Sequence, residues 1–155
     1  MRQPYVAVVG PGSASAEELA TARAVGVLLA RAGAVVVCGG LAGVMGAACE
    51  GVASEGGMSV GLLPGDDRSA GNPHVSVAIA TGLGELRNGL VVRAADGVVA
   101  VGGSWGTVSE IALARRAGKP VVRIGGWPIG VPESSLLEAA TAEVAVAAIL
   151  AEIGD

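Results

Sequence analysis

Short runs of Val, Ala, Leu and Ile recur along the chain, each closed by glycine or a polar turn, and most are followed by a stretch with helical spacing of apolar positions. Tyr5-Val-Ala-Val-Val-Gly10 reads as a strand ending in a turn, and Ser15-Ala-Glu-Glu18 then offers a capping box for a helix to about Ala32. Ala34 to Cys38 is a second strand, closed by Gly39-Gly40, with a helix from about Val44 to Glu55 behind it. Met58 to Leu63 is a third strand, Pro64 to Pro73 a polar loop, and Val75 to Ile79 a fourth strand. A helix from about Leu83 to Ala94 leads to strand five, Gly97 to Val101. Thr107 to Ala117 reads as a helix, Pro120 to Ile124 as strand six and Thr141 to Ile153 as a terminal helix. Gly125 to Ala140 carries no readable period. Consecutive apolar residues suit strands buried on both faces, and their alternation with helices implies right-handed crossovers. The expected fold class is α/β: one Rossmann-like domain over residues 1–155, with a doubly wound, mostly parallel sheet and helices on both faces.

Composition sharpens this picture. Only 2% of residues are aromatic and none is Phe, so the core must be filled by aliphatic side chains, as buried parallel strands require. The net charge of −4 comes without a Lys/Arg cluster, and aromatic platforms for base stacking are scarce, so no nucleic-acid partner is expected. The apolar run after Met1 is broken at Pro11-Gly12, too early for a signal-peptide core or a membrane span, so a cytoplasmic protein without membrane contact is expected. Cys38 and Cys49 lack metal-ligand spacing and His74 is the sole histidine, so neither a zinc site nor a disulfide framework is indicated, and no resident cofactor or metal is called for.

Glycine placement carries the chemistry. In sheets of this kind ligands sit at the carboxyl ends of the strands, where the turns after Val9, Cys38 and Val101 fall. Gly10-Pro-Gly12-Ser13 lacks the third glycine of a dinucleotide fingerprint, and no carboxylate follows strand two to take a ribose hydroxyl, so NAD is disfavoured while a short phosphate turn remains open. Gly39-Gly40-Leu-Ala-Gly43-Val-Met45-Gly46 brings four glycines across the start of a helix. Either backbone N–H groups face an anion there, or the glycines merely allow close packing. Gly102-Gly103-Ser104-Trp-Gly106-Thr107-Val-Ser-Glu110 repeats that logic and adds functional groups. Thr107 and Glu110 fit a capping box; alternatively the open helix end takes a phosphate while Glu110, one turn in and ionised beside the helix dipole, faces the sugar.

Together these two loops resemble the signatures GGGxxGLMG and PGGxGTxxE of the Lonely Guy (LOG) family, once grouped under a lysine decarboxylase label. The Arg-Lys pair of that family falls on Arg87-Asn88, and Asp96 also fits its pattern, so the resemblance runs from about Tyr5 to Ile124. It implies a Rossmann-like fold, homodimers or dimers of dimers, and hydrolysis of the N-glycosidic bond of a nucleoside 5′-monophosphate. Carried over, the catalytic pair is Arg87 and Glu110, with phosphate contacts from Gly103, Gly106 and Thr107. Gly102 stands in place of proline, Asn88 in place of lysine, and the chain is short. Those departures resemble the compact SLOG branch, which includes a molybdenum-cofactor carrier.

The function expected first is therefore a phosphoribohydrolase for a purine, cytokinin-type nucleotide. A non-catalytic carrier or sensor of a phosphorylated ligand, a nucleotide or molybdenum cofactor, is the alternative, and a structural subunit with vestigial loops is the third reading. The hydrolase lacks an obvious acid for the leaving base: Arg87 holds its proton too tightly and is better cast as a clamp on phosphate or ribose. Arg93 and Asp96 are expected to pair at a helix end.

Overall fold

The computed structural model describes residues 2–154. Its strands are β1 (Tyr5–Val9), β2 (Val35–Cys38), β3 (Ser59–Leu63), β4 (Val77–Ala80), β5 (Gly97–Val101), β6 (Val121–Ile124) and β7 (Leu137–Glu138). The helices are α1 (Ala16–Arg31), α2 (Val44–Ser54), α3 (Arg87–Ala94), α4 (Trp105–Arg116) and α5 (Ala142–Gly154). All seven strands join one sheet in the order β4-β3-β2-β1-β5-β6-β7, and every neighbouring pair is parallel. The order reverses between β1 and β5, the switch point at which such sheets open a crevice.

Successive side chains along each strand alternate between two apolar layers. Val6 and Val8 of β1 pack with Val25 and Leu29 of α1, Ala48 of α2 and Ile149 of α5. Ala7 and Val9 belong to the opposite layer, with Val91 and Val92 of α3 and Ile111 and Ala114 of α4. On the first face α1 and α2 pack very closely: a Cβ on Gly26 would lie 2.1 Å from the Ala48 carbonyl oxygen, and one on Gly51 2.1 Å from that of Arg23. Gly26→Ala must force these backbones apart, and overpacking of this kind costs about 2 kcal/mol. A fall in the denaturation midpoint at unchanged slope is expected, and an unchanged midpoint would contradict the packing described.

Several expected boundaries shift for identifiable reasons. The α1 capping box forms as read, with Ser15 N–H donating to Glu18 Oε1 at 2.9 Å and Glu18 N–H to Ser15 Oγ at 3.1 Å. The helix expected from Leu83 becomes a 3-10 turn, Gly84–Leu86, before α3, because Gly82 and Gly84 adopt φ of 66° and 59°. Helix α4 starts at Trp105, with Ser104 as its cap in place of Thr107. The stretch without a readable period holds β7, a seventh strand beyond the six expected. Asp96 pairs with Arg2 at 2.9 Å and accepts from Tyr5 N–H, not from Arg93. Cys38 and Cys49 are buried free thiols with Sγ atoms 3.5 Å apart. Among the described residues, no helix is long and apolar enough to cross a membrane.

Candidate functional site

The exits of β1, β2 and β3 and the starts of α3 and α4 enclose a cleft of about 360 Å³. Of the residues singled out in the sequence, it brings together Gly10, Gly12, Met45, Arg87, Ser104, Gly106, Thr107 and Glu110. Leu41, Pro64, Gly84, Glu85 and Asn88 line it as well and were not selected from the sequence. Asn88 alone carried a signal, its place beside Arg87. Ser13, Gly39, Gly40, Gly43, Gly46, Gly102 and Gly103 do not line the cleft. A larger hollow of about 490 Å³ lies at the amino ends of the strands, but two of the three cations lining it, Arg2 and Lys119, are already engaged. There Arg2 holds Asp96, and Lys119 Nζ donates to the carbonyls of Arg93 and Ala95.

Arg87 opens helix α3 and is fixed from three sides. Its Nε donates to the Leu62 carbonyl at 2.9 Å, Nη2 to the Gly39 carbonyl at 3.5 Å, and Nη1 to Asn88 Oδ1. A Cβ on Gly39 would lie 2.7 Å from both Arg87 Nη2 and Met45 Sδ, so glycine at this position makes room for the guanidinium. Gly43 is required for its backbone, with φ of 70° and no space for a Cβ beside the Pro11 carbonyl. In the second loop, therefore, packing is the reading these two glycines support. Asn88 is buried, and its Nδ2 donates to Ser109 Oγ at 3.4 Å.

The N-terminus of α4 forms the facing wall. Ser104 Oγ accepts the Thr107 N–H at 3.1 Å and shares a hydrogen bond with Thr107 Oγ1 at 2.9 Å. The first-turn amides of Trp105 and Gly106 precede any intrahelical acceptor, and with the helix dipole they favour an anion. Glu110 lies in the second turn, since Ser104 is the cap. It neither caps the helix nor gains a first-turn dipole benefit, which corrects both expectations made for it. Only 8% of it is exposed, and burial pushes its carboxyl up to about 7, against the opposing pull of Arg87. A guanidinium, an open helix end and a carboxyl poised near neutrality thus face one space. Such a set can grip a phosphate and hydrogen-bond a ligand heteroatom, with Glu110 as donor or acceptor.

The model of the SLOG cluster4 family matches residues 3–152. An uncharacterized protein of Archaeoglobus fulgidus is 39% identical over 124 residues, which is 80% of this chain and 82% of that protein. The molybdenum cofactor binding protein of the phototrophic bacterium Rippkaea orientalis superposes with a TM-score of 0.90 at 33% identity, covering 99% of both chains. The molybdenum cofactor carrier protein of Chlamydomonas reinhardtii gives a TM-score of 0.92 at 33% identity, over 99% of this chain and 100% of the other. With residues 3–152 matched by the family model and a Rossmann-like parallel sheet shared with these structures, the chain belongs to the SLOG cluster4 family.

Proposed function

We propose that this protein binds and carries a phosphorylated small molecule in the cleft between Arg87 and the N-terminus of α4, working in the cytoplasm without cleaving its cargo. The observation that carries this reading is the seating of Arg87: its guanidinium is held by the Leu62 and Gly39 carbonyls in a cleft that Gly106 and Thr107, from the first turn of α4, also line. Ligand phosphate then meets a charge already in place, so little ordering opposes binding. Similarity to proteins that bind molybdenum cofactor supports a carrier, and makes that cofactor or a related phosphorylated heterocycle the cargo to test first. Equilibrium dialysis against molybdenum cofactor and a panel of nucleoside monophosphates tests this, and retention of none of them would overturn it.

One observation favours the hydrolase as a second reading. A carboxyl at about 7 can hold a proton at neutral pH, so Glu110 offers the acid that the leaving base needs and that the sequence alone does not reveal. Release of free base and ribose 5-phosphate from the same panel would establish it; intact nucleotide would support the carrier.

Association is part of the proposal. Leu90 on α3 and Val77 and Ile79 on the edge strand β4 are exposed apolar side chains that a two-fold partner would cover. Light scattering at micromolar concentration is expected to give a dimer or a dimer of dimers, and a lone 15.0 kDa species would reject it.

A further inference from the structure

The chain has two tryptophans, and they touch each other beside the cleft. Trp105, the first residue of α4, is 81% exposed, an unusual position for the largest apolar side chain. Its ring meets that of Trp127 edge to face, with centroids 5.1 Å apart and planes at 84°. Trp127 is itself held in place: a Cβ on Gly103 would lie 2.7 Å from its Cδ1, and its carbonyl accepts from Arg123 Nη1. Gly103 thus seats Trp127, and Trp127 buttresses Trp105.

Beside Trp105 is a hollow of about 430 Å³. Glu85, Asn88 and Gly106 line both this hollow and the anion cleft, so the two adjoin. Leu86, Leu113 and the indole give it apolar walls, while Asn88 and Ser109 supply polar groups. That combination suits a planar ring with hydrogen-bonding edges.

We infer that Trp105 is the stacking platform for a heteroaromatic ring of purine size, borne by the same ligand whose phosphate sits at the first turn of α4. The inference rests on the phosphate-cleft proposal. Trp105 and Gly106 are consecutive residues of α4, so the ring platform and the phosphate-facing amide arise from the same helical turn. Stacking of a base on an aromatic side chain is worth about tenfold or more in affinity.

Intrinsic fluorescence arises from these two indoles and reads the platform directly. Guanosine 5′-monophosphate is expected to quench the emission and to bind about tenfold more tightly than ribose 5-phosphate, which has no ring. Trp105→Leu brings the ratio of the two affinities close to one, and Trp105→Phe keeps most of it. An equal ratio in wild type and the Leu variant would overturn the inference. So would emission that responds to dilution and not to nucleotide, since a second copy would then cover Trp105. Quenching by the nucleotide with no binding of ribose 5-phosphate removes the phosphate reading while supporting the ring platform; binding of neither probe overturns both.

Discussion

Replacing Arg87 with alanine is expected to weaken binding of a phosphorylated ligand about a hundredfold, because hydrogen bonds to a charged partner contribute about 1.5–3 kcal/mol. Among the described residues the guanidinium is the one cation lining the cleft, and its position is set by the carbonyls of Leu62 and Gly39 rather than by the ligand. Arg87→Lys keeps the charge but loses the planar fork, so it restores only part of the affinity. Removing Arg87 also removes the influence that lowers the Glu110 pKa, so that carboxyl titrates at a higher pH in the variant. Calorimetric titration with a nucleoside monophosphate checks the affinities. A loss of less than threefold in the alanine variant would mean that phosphate binds elsewhere.

Glu110→Gln is expected to flatten the dependence of stability on pH. Burial raises the carboxyl from its ordinary 4.5 to about 7, so between those values the folded protein holds a proton that the unfolded chain has released. Stability contributed by this group is therefore fully present below pH 4.5 and falls as pH rises towards 7. At 1.36 kcal/mol per unit the fall amounts to about 3 kcal/mol. Glutamine fills the same space without a charge, so the variant should exceed wild type in stability at pH 8 and match it near pH 4.5. Chemical denaturation at pH 5 and pH 8 measures the difference, and parallel profiles for the two proteins would contradict it. Ligand binding should show a related effect. A bound phosphate raises the Glu110 pKa further, so affinity in wild type falls relative to the Gln variant as pH climbs above 7.

Most of the sheet was legible because its strands are Val-rich runs bounded by glycine, as in Gly97 to Val101, which is strand β5 residue for residue. Strand β7 was not: two residues in a segment rich in Gly and Pro leave no period to read. The start of α4 was misplaced because the spacing of Thr107 and Glu110 imitates a capping box, whereas the cap, Ser104, is followed by the uninformative pair Trp105-Gly106. That displacement matters chemically, since it moves Glu110 from the first turn to a buried second turn, where its carboxyl is pushed up to about 7 instead of being held ionised by the helix dipole. Arg87 and Glu110 were found through the resemblance, and they do line one cleft. The glycines were the least transparent residues. Gly39 and Gly103 look like phosphate contacts in a motif, yet the folded chain uses them to seat Arg87 and Trp127, contacts made across 48 residues in the first case.

Phosphorus NMR of a nucleoside 5′-monophosphate mixed with equimolar protein tests the central claim most directly, because one spectrum reports both capture and cleavage. A shifted or broadened phosphate resonance is expected with wild type, a return to the free position with Arg87→Ala, and no ribose 5-phosphate signal after prolonged incubation. A sharp, unshifted resonance in the presence of wild-type protein, or a growing ribose 5-phosphate line, would contradict it.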